Sequence, residues 1–254
     1  MITRYECELD GVPLSLLDER IFVTDISEME PDEQLTVTPY AVRMGSRRVR
    51  KKRDSLSVVV SFVIGTQDVE ERKRICQKAQ EWARKGRYLT INDRAWQRLR
   101  AVCEVLPRPS SSQNWQEVLQ MEFVAYELPY WEAVVPVSLT TVGSGELFVP
   151  GMVDAPCDVT ITNTSDSTIS AVTVQTGLSS MVFEGLSIAA GASLEIGHGE
   201  DLTLYARIGS DSVLANRTEA SDDDLLCACG KRNTMSVTAS AGVKAVFTAR
   251  GLYE

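Results

Sequence analysis

Histidine occurs once in the 254 residues, and no P-loop, GxSxG elbow or HExxH pair is present. Proton transfer in enzymes draws most often on histidine, so this scarcity argues against the common hydrolytic and phosphoryl-transfer classes. His198 stands between Gly197 and Gly199 with nothing nearby in sequence to orient it as a base, and reads as a flexible turn residue. No run approaches the roughly 18 apolar residues of a membrane helix. The opening MITRYECELDG lacks the basic-then-apolar order of a secretory signal, so the chain is expected to be made and folded in the cytosol, without membrane insertion.

Cysteine is not dense enough for a disulfide scaffold: six thiols are spread over the whole chain and read as reduced, packed as small apolar groups. Cys227 and Cys229 are the one close pair, but structural zinc needs about four ligands with CxxC or histidine partners. Alternation places both thiols on one side of a short strand, suited to a core face, and no metal or cofactor is expected.

Basic residues are scarce in the second half. Up to Trp131 the chain holds 20 basic and 20 acidic residues; from Glu132 it holds 6 and 15, so the net charge of -9 belongs to the second half. An acidic half without lysine or arginine clusters is a poor phosphate binder, and no sequence-specific nucleic-acid partner is expected. With 44% hydrophobic and 24% charged residues the chain can bury real cores, and its length suits two domains.

Short apolar runs from Val12 to Ile26 suggest two strands after an Asp10-Gly11 turn. An acidic run follows, Glu28, Glu30, Asp32 and Glu33 around Pro31, and then, from Arg43, a basic one. Arg43, Arg47, Arg48, Arg50, Lys51, Lys52 and Arg53 put seven cations in eleven residues with almost nothing to bury, which predicts an exposed arm or long hairpin tip over 40–55. From Leu56 to Ile64 apolar residues alternate strictly, predicting a central strand. Asp68 and Glu71 form a capping box before Val69, Cys76, Ala79, Trp82 and Ala83 recur at helical spacing up to Gly86, with Arg72, Lys73, Arg74, Lys78 and Lys85 assigned to the solvent side. Further strands are predicted over Tyr88 to Ile91, Leu99 to Leu106 and Trp115 to Tyr126. The result is an α+β domain over 1–132, an antiparallel sheet with one helix and a long arm.

Beyond Trp131 serine, threonine and glycine rise and helical periodicity disappears. The stretch 133–150, with Val142-Gly143-Ser144-Gly145, reads as a linker. Short alternating runs over 151–254, separated by Gly and Ser turns, predict an all-β sandwich. Asp222, Asp223 and Asp224 read as a solvated acidic loop; a hydrolase would need a cleft gathering them with His198.

Taken in order, the basic arm ending in Arg50-Lys51-Lys52-Arg53, the strand Ser57-Val58-Val59-Val60-Ser61-Phe62, the helix closing with Trp82-Ala83, Leu89-Thr90-Ile91-Asn92-Asp93-Arg94, and Phe123-Val124-Ala125-Tyr126 before Pro129-Tyr130-Trp131-Glu132 resemble the distal tail proteins of long, non-contractile-tailed bacteriophages. Asp222 to Leu226 before Gly230-Lys231-Arg232-Asn233 is similar to the same family's C-terminal domain. The resemblance implies a homo-hexameric ring of N-terminal domains at the tail tip with galectin-like β-sandwiches outside it. Such a ring joins the tail tube protein to the tip or spike protein, and its periphery can carry receptor-binding proteins. Larger relatives carry inserted carbohydrate-binding modules, for which this chain has no room.

Three readings of the arm stay open. It could embrace a neighbouring copy whose Glu28, Glu30, Asp32 and Glu33 supply the opposite charge, stand as a solvated loop, or touch nucleic acid, for which it lacks stacking aromatics. For the whole chain, the expectation is a non-enzymatic structural virion protein of the phage tail tip. The alternative is a carbohydrate-binding module acting in host attachment.

Overall fold

The alternation from Leu56 to Ile64 is buried in full: Leu56, Val58, Val60, Phe62 and Ile64 are each at most 2% exposed. They end a 19-residue strand, Ser46–Ile64, the longest element of a computed structural model that describes residues 5–29, 32–39, 46–111, 116–199 and 201–254, with 32–39 and 46–53 as backbone. The chain divides into two compact units, Met1–Trp131 and Glu132–Glu254.

In the first unit, Ile21–Glu28 and Leu119–Ala125 flank the long strand, both antiparallel, and Val102–Val105 adds an edge beyond Leu119–Ala125. One α-helix, Val69–Lys85, is found among the described residues. Asp68 starts it by accepting from the amides of Glu70 (2.9 Å) and Glu71 (3.2 Å), which satisfies two donors that would otherwise lack partners. Its apolar stripe, Ile75, Cys76, Ala79, Trp82 and Ala83, is buried, and Trp82 meets Phe123 of the sheet edge-on with centroids 6.2 Å apart. Gly86 follows the helix because a Cβ there would lie 2.0 Å from Leu9 Cγ. A smaller antiparallel sheet, in the order Val12–Pro13, Cys7–Leu9, Tyr88–Ile91 and Gln97–Arg100, is tied to the helix by Trp82 Nε1 donating to the Val12 carbonyl (3.0 Å).

Two expectations for this unit change. Arg72 is 1% exposed rather than on the solvent side, since helical spacing puts it in register with Ile75, Cys76 and Ala79; its guanidinium donates to the Thr66 carbonyl (3.0 Å) and pairs with Glu117 (3.4 Å). The strand expected over Leu99 to Leu106 breaks at buried Ala101, and its halves join different sheets. Trp115, expected at the start of the last strand, lies outside the described residues, and that strand runs Leu119–Ala125.

The second unit is two antiparallel sheets. The first runs Val137–Thr141, Val243–Ala249, Ala155–Asn163, Ser193–His198, Leu204–Ile208 and Asp211–Ser212, with Leu226–Cys227 paired to the start of Ala155–Asn163. The second runs Ser144–Val149, Lys231–Ala239, Ile169–Gln175 and Ser180–Ile188. Each sheet buries every other residue: Val159, Ile161, Ile196 and Phe247 from one, Val172, Val174, Phe183 and Met235 from the other, none more than 2% exposed, as the core of a sandwich requires.

The stretch expected as a linker, 133–150, instead supplies an edge strand to each sheet. Thr141 Oγ1 donates to the Ser144 carbonyl (2.9 Å) and accepts from the Gly143 amide (3.2 Å), so the residues read as a spacer form a hairpin turn. Leu147 and Val149 are buried while Phe148 and Val142 are exposed; an edge strand that buries so little carries a weak pattern.

Candidate functional site

The sequence singled out the arm, and the long strand explains its form. Leu119–Ala125 pairs with it over Leu56 to Phe62 and Ile21–Glu28 over Val58 to Ile64. Residues Ser46 to Ser55 pair with Asp32–Pro39 instead, in a two-stranded ribbon. Ten residues at roughly 3.3 Å each make a ribbon about 33 Å long. Its register sets Glu33 opposite Arg53, but Lys52, Lys51, Arg50, Arg48 and Arg47 stand opposite Gln34, Leu35, Thr36, Val37 and Thr38. An isolated hairpin is marginal in water, and adjacent like charges weaken it further.

The other half of the charge argument is partly engaged within the chain. Glu28 pairs with Arg94 at 3.0 Å, and Arg94 also lies over the Trp131 ring, 5.3 Å from its centroid. Asp32 and Glu33 belong to the ribbon itself. Glu30 and Arg43 lie outside the described residues.

His198 is not the loose turn residue its glycines suggested. It ends the strand Ser193–His198 with its side chain 5% exposed, Nδ1 2.9 Å from Asp158 Oδ1 and Nε2 2.6 Å from Asp224 Oδ1. Gly197 serves packing: a Cβ there would sit 3.0 Å from Tyr205 Oη and 3.1 Å from Asp158 Oδ1. Burial disfavours charge on the ring, and the two carboxylates outweigh it, raising the histidine above its ordinary range. Asp224 is thereby drawn out of the expected solvated loop, whereas Asp222 and Asp223 remain exposed. Asp158 carried no signal in sequence, since it is an outward position on a strand distant along the chain.

Chemically, this cluster is a bridge. Both ring nitrogens face carboxylates, which leaves neither to take a proton from a substrate, and the carboxylates lie at opposite nitrogens and so cannot join the ring around one metal ion. Beside Asp158, the Cys157 thiol is fully buried; its hydrogen bond with Cys227, and then burial, push it well above the ordinary thiol range, away from a nucleophilic thiolate. Cys227 is buried but Cys229 is only half-buried, because the strand ends at Cys227. No group of three or more His, Cys, Asp or Glu among the described residues is arranged to hold a metal ion. The sandwich also carries a polar cleft of about 480 Å³, lined by Gln175, Ser180, Asp222, Arg232, Thr234 and Ser236 among others.

With this architecture in hand, the chain aligns end to end with a crystal structure of the Dit protein of phage SPP1, described as a paradigm of the hub adsorption apparatus in phages that infect Gram-positive bacteria. The TM-score is 0.70, over 97% of this chain and 98% of that one, at 10% identity. The fold is a Dit fold. Two structures of the phage P2 baseplate in its activated conformation, with calcium and with strontium, align over 99% and 97% of this chain at a TM-score of 0.49 and 8% identity. No family model matches the chain, and no curated protein matches its sequence. At 10% identity the Dit architecture is kept while most side chains differ, so the likeness lies in topology.

Proposed function

We propose that this protein is a non-enzymatic structural component of a phage virion, a homo-hexameric hub at the tail tip joining the tail tube protein to the tip or spike protein. The observation that carries this reading is the match to SPP1 Dit over nearly all of both chains. The first unit forms the ring, and the second, a galectin-like sandwich, offers a platform for receptor-binding proteins.

The ribbon supports the reading on physical grounds. Five cations without an acid opposite them in the register, on a two-stranded element about 33 Å long, offer positive charge to a partner surface. In a closed ring each copy presents the same arm to the same neighbouring patch, so one favourable contact is repeated six times. Arg43, Arg47, Arg48, Arg50, Lys51, Lys52 and Arg53 are assigned to the subunit interface, against Glu28, Glu30, Asp32 and Glu33 of the neighbour. Glu28 also pairs with Arg94 within its own chain.

Mass photometry of the purified chain tests the proposal. Particles of six 28.0 kDa copies support it. Solitary chains that persist at high concentration, with tail tube and tip proteins supplied, defeat it. A second reading, a carbohydrate-binding adhesion module, is favoured by the hydroxyl-lined cleft of about 480 Å³, although none of its lining residues is an aromatic on which a sugar ring could stack. Selective binding on a glycan array, lost in Arg232→Ala, would favour it.

A further inference from the structure

The bridge at His198 joins parts of the sandwich that are far apart in sequence. On one side, Asp158 Oδ1 accepts from both the His198 amide (3.0 Å) and Nδ1 (2.9 Å), fixing the ring to the strand Ala155–Asn163. On the other, Nε2 reaches Asp224, whose Oδ1 also accepts from the Leu225 amide (2.7 Å). The segment leading to Asp224 belongs to the opposite sheet: the Thr218 amide donates to the Val182 carbonyl (2.9 Å), the Asp222 amide to the Ser180 carbonyl (2.9 Å), and the Ser180 amide to Asp222 Oδ2 (2.7 Å). Residues 218–225 therefore run from one sheet to the other, where the Leu225 carbonyl accepts from the Cys157 amide (2.8 Å) and Nε2 holds the Asp224 side chain.

A neutral imidazole has one N–H and can donate to one carboxylate. Two carboxylates at hydrogen-bond distance from opposite nitrogens are both satisfied by an imidazolium, which has two. Loss of one proton leaves one of the two carboxylates without its ring donor, and release of the Asp224 side chain requires that it be Asp224. Nε2 then turns a lone pair toward a carboxylate oxygen.

We propose that Asp158, His198 and Asp224 form a protonation-dependent latch: the imidazolium ties the Asp224 side chain to the first sheet, and loss of the Nε2 proton frees that side chain. The other charged groups on the packed elements have partners of their own. Glu195 pairs with Arg207 (2.6 Å), Asp223 lies 3.9 Å from Arg217, Arg217 also donates to the carbonyls of Asp222 and Asp223, and Asp201 accepts from the Thr203 amide. Among the described residues, Tyr205 also approaches at Gly197, and the buried Cys157 and Cys227 lie beside Asp158.

The sign follows from linkage. The folded state raises the histidine above its unfolded value of 6.5, so the latch contributes fully below pH 6.5 and is lost as pH rises through the folded midpoint.

Since the chain has one histidine, the ring C–H signals of the full-length protein report this site alone in an NMR titration. The expected midpoint lies above 6.5, with exchange of the Leu225 amide, which Asp224 Oδ1 holds, rising through the same pH range beyond the rise that base catalysis gives. Asp224→Asn preserves the shape, keeps an oxygen for the Leu225 amide and removes the negative charge facing Nε2. It is expected to move the midpoint down and remove the pH dependence of exchange at Leu225. A wild-type midpoint at or below 6.5, or Leu225 exchange indifferent to the ring's titration, overturns the latch without touching the hub proposal.

Discussion

The two units solve the problem of polar groups in opposite directions. In the second, buried side-chain amides serve the unit itself. Asn233, 1% exposed, donates to the Ala228 carbonyl (2.9 Å) and accepts from its amide (2.8 Å); Asn163, also 1% exposed, donates to the carbonyls of Ser167 (2.8 Å) and Ile188 (2.9 Å). In the first, a core of comparable quality supports a ribbon whose register leaves five cations facing neutral residues. The difference is that the sandwich satisfies these buried amides internally, while the ribbon of the first unit sets five cations opposite neutral residues in its register.

All four tryptophans, Trp82, Trp96, Trp115 and Trp131, fall in the first unit, so tryptophan emission follows that unit alone. The largest expected effect uses this. Phe123→Ala empties space against Trp82 and should destabilise the emission-detected transition by about 3–5 kcal/mol. Phe247→Ala should lose as much in the sandwich, detected by far-UV circular dichroism, with the emission transition unmoved. If Phe247→Ala shifts both probes together, the units are not separate in folding.

Asn233→Ala tests self-satisfaction in the sandwich. It strands half-buried backbone groups at Ala228, and a loss of about 1–2 kcal/mol is expected in urea unfolding. Reversing the ribbon's charge with Arg48→Glu and Arg50→Glu should leave both unfolding transitions in place and weaken self-association by about 2 kcal/mol per interface, read by mass photometry. An unchanged hexamer would remove charge pairing from the account of the arm.

The smallest effect is in acid. Asp18, mostly buried, is held down at about 2 by its hydrogen bond with Arg20 (2.8 Å), against an opposing effect of burial and with help from Lys78 (3.4 Å). Its folded value is depressed, so its contribution is present above the unfolded value of 3.8 and disappears as pH falls toward about 2. Asp18→Asn should flatten tryptophan-detected stability in that window. The sandwich, through His198, should weaken instead at the alkaline side.

From sequence alone, regular local periods were legible. Strict alternation located the buried face of Leu56 to Ile64, the capping box and helical spacing placed Val69–Lys85 to within about a residue, and the block of cations marked the arm. These depend on neighbours within a turn or a pleat, which a linear pattern records. Tertiary structure alone decided that His198 meets Asp158 and Asp224, 40 and 26 residues away, that the supposed spacer at 133–150 pairs into both sheets, and that Arg72 is buried. Strand register brings such residues together, and it is chosen by the packing of whole sheets, which leaves no local trace in the side chains it joins.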